Sequence, residues 1–356
     1  GRSITGPGAQ DLASAAMTID LRDYGWTGGP PPDGGRLGRI VRVDRGECDV
    51  VTALGPVRAL SDSHRSQGDT APATGDWVLL AEDPESGTLI SVVLPRSNTV
   101  SRRDPSEEVV EQVLVANVDA VLIVHGLDRP LPAGRLERFL IVAWDSGADV
   151  AVVLTKADTR GSSADELAAI VQAVAPGMPV LPVGLGHGSD DGLAAVAALA
   201  GHGRTVALLG ESGSGKSTLI NALLGEDRLD TGEVRTGDAK GRHTTVSREL
   251  VRMPGGGLLV DTPGIRSVGI WEAEEALDRV FGDLEELSSE CRYSDCVHDT
   301  EPDCAVTSAV ADGVMDERRV VRYRALRDEL AAQRRRTEER GLRDRKKNRP
   351  RRGRRR

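Results

Sequence analysis

At 356 residues, 28% charged and 39% apolar with aromatics at only 3%, the chain has room for two or three domains that each bury a core. There is no run of about eighteen apolar residues, which excludes a spanning helix, and Gly1 to Gly8 lack the apolar core of a signal peptide, so a cytoplasmic protein without a membrane partner is expected. The formal charge of −9 is unevenly spread: Arg334 to Arg356 holds 14 Lys or Arg against 3 Asp or Glu, leaving −20 on the remainder.

Residues 1–35 are rich in Gly, Pro and Ala and read as a flexible arm, with a short helical piece around Asp11 to Arg22. Residues 36–100 carry short β-like runs separated by turn residues: Gly38 to Val43, Cys48 to Leu54, Val57 to Leu60, Asp76 to Ala81 and Leu89 to Leu94. That pattern suits a small OB-fold barrel. Such a barrel often binds oligonucleotides, and Trp77 is its one stacking candidate; the alternative is a barrel that only packs on its neighbour. Pro95 to Asp104 reads as a basic, polar connector.

Residues 101–270 alternate strand and helix. Strands are expected over Val118 to Val124, Asp149 to Leu154, Met178 to Val183, Thr205 to Leu209, Arg248 to Arg252 and Leu258 to Val260. Helices are expected over Ala133 to Trp144, Ser163 to Val174 and Gly192 to Ala200. This predicts an α/β domain with a doubly wound parallel sheet. Residues 271–333 form a helical subdomain, in which a charged helix begins near Asp316 and reaches about Glu339. Residues 334–356 form a disordered basic tail able to attract polyanions.

Gly210-Glu211-Ser212-Gly213-Ser214-Gly215-Lys216-Ser217 matches G-x-x-x-x-G-K-[ST] in full, between an apolar strand and a helix starting at Thr218. Backbone N–H groups of such a loop converge on phosphate oxygens, Lys216 supplies a point charge to the terminal phosphates, and Ser217 can hold Mg²⁺. Asp261-Thr262-Pro263-Gly264 fits D-x-x-G, in which Asp261 reaches Mg²⁺ through water and the Gly264 N–H senses the γ-phosphate. Thr155-Lys156-Ala157-Asp158 is similar to N-K-x-D: Asp158 can accept both guanine N1–H and the exocyclic amine, a pairing adenine cannot offer, while Lys156 covers the ring. This base-reading motif precedes the phosphate loop, the reverse of the ordinary small-GTPase order. A circularly permuted P-loop GTPase domain follows. Between the phosphate elements, Gly241 to Thr245 can supply Thr244 or Thr245 to Mg²⁺, and spacing does not choose between them. Ile265 stands where many GTPases carry a water-orienting Gln, so hydrolysis alone is expected to be slow, with His243 or a partner positioning the water.

Cys291, Cys296, His298 and Cys304 follow C-x₄-C-x-H-x₅-C, three thiolates and an imidazole that can close a structural Zn²⁺ tetrahedron; the alternative is reduced, buried cysteines. Cys48 reads as a core thiol of the barrel.

The succession of barrel, permuted GTPase domain and zinc subdomain resembles the ribosome-small-subunit-dependent GTPase A family of RsgA or YjeQ-like proteins. The residues that carry it are Pro95 to Ser101, Ala116 to Asp119, Thr155 to Asp158, Gly210 to Ser217, Gly241 to Thr245, Asp261 to Gly264, and Cys291 through Cys304. The resemblance implies a late-acting assembly factor that binds the 30S subunit and its 16S rRNA with GTP, leaves as GDP forms on subunit-stimulated hydrolysis, and uses His243 as a proposed catalytic residue. A monomer is expected. The chain departs from the family at Thr155, where Asn is usual, and around Val183 to Leu185, which lacks the usual Ser or Ala. The competing readings are a metabolic NTP-dependent enzyme, such as a kinase or ATPase, and a non-hydrolysing RNA-binding module.

Overall fold

Five strands close into a barrel in the order β1-β2-β3-β5-β4: β1 (Arg36–Val43), β2 (Glu47–Thr52), β3 (Gly55–Leu60), β4 (Trp77–Asp83) and β5 (Gly87–Val93). The computed structural model describes residues 18–31, 35–61, 70–103, 111–158, 163–185, 191–229, 248–262 and 273–347. Ile40, Cys48, Val50, Ala59, Val78, Leu80 and Ile90 fill the barrel. Burial pushes the Cys48 thiol up to about 12, as suits an inert core thiol. Trp77 is buried, with its ring 4.8 Å from that of Trp26 and Arg39 lying over it. The expected stacking platform is therefore an internal contact.

The expected connector is instead half of a hairpin. Strand β6 (Thr99–Arg103) pairs antiparallel with β7 (Glu111–Ala116) in a separate two-stranded sheet. Polar side chains hid this strand, but Val100 faces inward and joins Leu114 and Val115 in the main core.

The α/β domain has a six-stranded sheet in the order β10-β9-β8-β11-β13-β12. Its strands are β8 (Ala120–Gly126), β9 (Asp149–Thr155), β10 (Val180–Val183), β11 (Thr205–Leu209), β12 (Leu250–Arg252) and β13 (Leu258–Asp261). All seven residues of β8 are buried, as a central strand covered on both faces requires. Helices α1 (Ala133–Asp145) and α2 (Ser163–Val174) contribute to the core on one face, and α3 (Asp191–Leu199) and α4 (Lys216–Leu224) to that on the other. Leu219, Ile220 and Leu224 of α4 are buried, worth about 1.5–3 kcal/mol each against exposure. The sheet departs from the expected all-parallel form at one edge: β12 runs antiparallel to β13, because only five residues, Met253 to Gly257, join the two and leave no room for a crossover.

Helices α5 (Glu274–Val280), α6 (Gly282–Ser288), α7 (Ala305–Ala311) and α8 (Glu317–Lys347) build the carboxy-terminal unit on the α1 side. Glu137 of α1, fully buried, accepts from Arg322 at 2.7 and 2.9 Å and from Arg319 at 3.3 Å. Arg319 also grips Asp283 and the Val280 carbonyl. The α8 helix runs through Lys347, so the tail expected to be disordered from residue 334 is helical over its first part. Arg, Glu, Leu and Lys are strong helix formers, an Arg334–Glu338 pair spans one turn, and no Pro intervenes before Pro350.

Part of the arm expected to be flexible is also ordered. A 3-10 turn, Leu21–Tyr24, is capped by Asp20 and closed by Gly25, and Asp23 bonds Arg252 at 2.7 Å and His202 at 2.9 Å. Composition missed this because single residues such as Trp26 and Asp23, rather than a hydrophobic run, make the attachment. Residues 1–17, where most of the Asp11 to Arg22 helical piece was expected, lie outside the described residues.

Candidate functional site

The phosphate loop leaves the carboxyl end of β11, between β8 and β13, and the base-reading motif leaves β9 on the same edge. Ligand sites of open α/β sheets lie along such an edge. The chain order is permuted, yet the sheet brings the motifs together.

Thr155 forms the first link. Its hydroxyl, buried, donates to the Ser214 carbonyl at 2.6 Å and lies 3.3 Å from the His125 carbonyl. The usual Asn amide is thus not needed to tie this motif to the phosphate loop. The approach is so close that a Cβ on Gly215 would sit 2.9 Å from the Thr155 hydroxyl, and Gly215 has φ +91°. Only glycine satisfies both demands. Lys156, itself at φ +61°, donates from Nζ to the Gly213 carbonyl at 3.1 Å and to Asp128 at 2.7 Å. Asp158 is exposed at the end of the motif. A Cβ on Gly184 would come within 2.9 Å of the Asp158 amide nitrogen, so in this chain the two segments approach closely enough to favour glycine there.

At the other end of the loop, Ser217 Oγ donates to Asp261 Oδ2 at 3.0 Å, while Asp261 Oδ1 is buried without a hydrogen-bond partner. Burial raises the Asp261 carboxyl, and the Lys216 charge works against that rise. A hydroxyl beside a carboxylate with one unsatisfied oxygen is a hard-donor set that fits Mg²⁺. Lys216 is lowered by burial and donates from Nζ to the carbonyls of Gly210 and Glu211, at 3.0 and 2.9 Å. Ser214 Oγ is likewise buried without a partner. Thr218 follows in the first turn of α4. His243, Thr244, Thr245 and Gly264, together with Ile265, lie outside the described residues.

Three contributors were not read from sequence. Arg129 donates to the Ser212 and Gly213 carbonyls at 3.2 and 3.1 Å, Asp128 holds Lys156, and Arg135 of α1 donates to Glu211 at 2.9 Å. No short motif marks them; the available signal was that they follow a central strand and so must emerge at the ligand edge.

The cysteine cluster stands apart, between α6 and α7. Cys291 Sγ lies 3.8 Å from Cys304 Sγ, and His298 Nδ1 lies 3.6 and 3.5 Å from these two sulfurs. All four ligand atoms, including that of Cys296, fall within 4.8 Å of one another. Tetrahedral Zn–S bonds of about 2.3 Å require sulfurs about 3.8 Å apart, so the set fits zinc. His298 Nε2 lies 3.0 Å from Ser288 Oγ, an outer partner that fixes the ring.

A family model described as RsgA GTPase matches residues 93–271. The small ribosomal subunit biogenesis GTPase RsgA of Streptomyces coelicolor is 45% identical over 326 residues, 86% of this chain and 85% of that protein. Its counterpart in Opitutus terrae is 41% identical, over 82% of this chain and 83% of that protein. Among solved structures, YjeQ from Thermotoga maritima superposes with a TM-score of 0.58 at 27% identity, covering 83% of this chain and 98% of the other. YloQ, described as a circularly permuted GTPase, gives 0.54 at 22% identity over 83% and 96% of the two chains, which bears on the fold alone. The chain belongs to the RsgA family of GTPases.

Proposed function

We propose that this GTPase acts in biogenesis of the small ribosomal subunit, binding the 30S particle and its 16S rRNA with GTP and hydrolysing GTP when the particle stimulates it. The observation that carries the reading is the pair of links at the two ends of one loop, Thr155 to Ser214 and Ser217 to Asp261, which join base reading to phosphate holding. Relatives named for small-subunit biogenesis support the partner. Asp158 reads guanine, Lys156 flanks it, and Gly210 to Thr218 hold the phosphates with Lys216 as their fixed cation. Ser217 and Asp261 would hold Mg²⁺, which when bound would supply positive charge against the phosphate oxygens. Thr244 or Thr245 completes that site, the Gly264 N–H senses the γ-phosphate, and His243 positions water. Cys291, Cys296, His298 and Cys304 hold a structural zinc. The protein works as a cytoplasmic monomer, with the basic end of α8 and the residues beyond it meeting RNA; among the described residues, no helix is long and apolar enough to cross a membrane.

Phosphate release from GTP, measured with and without purified 30S subunits, tests this. We expect slow release alone and a rise of at least about tenfold with subunits, abolished by Lys216→Ala. A rate indifferent to subunits would overturn the assigned partner.

A further inference from the structure

The second position of the phosphate loop is free in the motif, and here it is Glu211, the single acidic side chain between Gly210 and Ser217. A carboxylate in a cradle for phosphates is a liability unless something neutralises it. The Glu211 main chain faces into the loop, where its carbonyl accepts from Lys216 Nζ at 2.9 Å. The side chain instead reaches α1, where Oε2 accepts from Arg135 Nη1 at 2.9 Å. Glu211 still acts electrostatically on Lys216, the cation of the loop.

Arg135 is poorly placed for any other purpose. It lies in the first turn of α1, where the helix dipole disfavours a cation, and that turn holds no acidic residue. Its neighbours are committed elsewhere: Glu137 to Arg319 and Arg322, and Arg138 to Glu329. Among the described residues, the ion pair of Arg135 is with Glu211. The Arg135 and Glu211 side chains are 40% and 19% exposed, so the pair adds little to stability, and its effect should appear when a polyanion arrives.

We infer that Arg135 is a specificity-determining positioning residue, which neutralises Glu211 and holds it away from the cradle so that the loop accepts the more highly charged triphosphate. The inference rests on the guanine-nucleotide reading above. Without Arg135, the Glu211 charge repels GTP more than GDP, because GTP brings one more phosphate.

The test is titration of the full chain with GDP and with a non-hydrolysable GTP analogue, at low and high salt, for wild type, Arg135→Ala, Arg135→Lys, Glu211→Gln and the Arg135→Ala/Glu211→Gln double variant. We expect Arg135→Ala to weaken the analogue about tenfold and GDP clearly less, with a loss that shrinks at high salt. Arg135→Lys keeps most of the affinity, Glu211→Gln alone shifts preference toward the analogue, and the double variant recovers from the Arg135→Ala loss. The inference is overturned if Arg135→Ala binds both ligands as wild type does, or loses both equally at every salt concentration. A double variant as weak as Arg135→Ala, or a Glu211→Gln that disfavours the analogue, overturns it too. Wild type that binds neither guanine nucleotide would instead overturn the reading on which it rests.

Discussion

Thr155 illustrates what one hydroxyl can do at a position where the family usually has an amide. The Ser214 carbonyl it serves belongs to the phosphate loop, so the base-reading motif and the phosphate cradle share one buried hydrogen bond. Replacing Thr155 with Val keeps the shape and removes the donor, leaving a carbonyl unpaired at a cost of about 1–3 kcal/mol. We expect Thr155→Val to weaken GDP binding about tenfold by fluorescence titration, with both ends of the nucleotide affected. Unchanged affinity would mean the motif holds the loop some other way. The sequence showed that Thr155 has a donor; it did not show the acceptor, which lies 59 positions away and is brought close only by the pairing of β8 with both β9 and β11.

At the scale of elements, the cysteine-histidine loop makes the clearest commitment. Its four candidate ligands lie between α6 and α7: Ser288 at the end of α6 lies against His298, and Cys304 caps α7 by accepting from the Thr307 amide at 3.5 Å. The loop carries two non-glycine residues at positive φ, His298 and Asp303, and is braced by Glu301, which accepts from the Val297 and Asp299 amides at 3.0 and 2.9 Å, with the ligand set at its centre. We expect about one zinc per chain by colorimetric assay, and its removal by a chelator, or by Cys304→Ser, to lower the melting temperature of the carboxy-terminal unit. A melting curve that ignores chelation would rule out a structural metal. Elements with a strong period were legible, with Ser163–Val174 matching the expected bounds. Those that failed share a cause. Strand β6 presents Thr99, Ser101 and Arg102 around a single deep Val100, a pattern too polar to announce a strand, and its pairing with β7 is tertiary information.

For the molecule as a whole, the question is what makes the barrel, the arm and the GTPase sheet act as one piece. Arg39 of β1, almost fully buried, donates to the carbonyls of Gly75, Tyr24 and Asn117 and to the Thr205 hydroxyl at the start of β11. Barrel, arm, inter-domain segment and phosphate-loop strand thus meet on one guanidinium. Burial lowers it to about 10, with Asp119 and Asp76 opposing that shift, so it remains a cation at neutral pH. Further fastenings lie along β12 and its approach, through Asp23 to Arg252, Thr74 to the Arg248 carbonyl, and a bridge between Arg42 and Glu249. None of this was legible in the sequence, because an Arg within a strand is ordinarily a solvated charge. Arg39→Met keeps the bulk but strips several buried acceptors of their donor, at a cost of about 3–5 kcal/mol. We expect an early urea transition from loosening of the barrel, with proteolytic cutting between Trp26 and Arg36. Arg39→Lys should recover only a fraction of the loss, since one ammonium cannot reach acceptors spread around a planar fork. If Arg39→Lys matched wild type in urea, the fork geometry would be irrelevant and the joint would rest on the peripheral contacts along β12 instead.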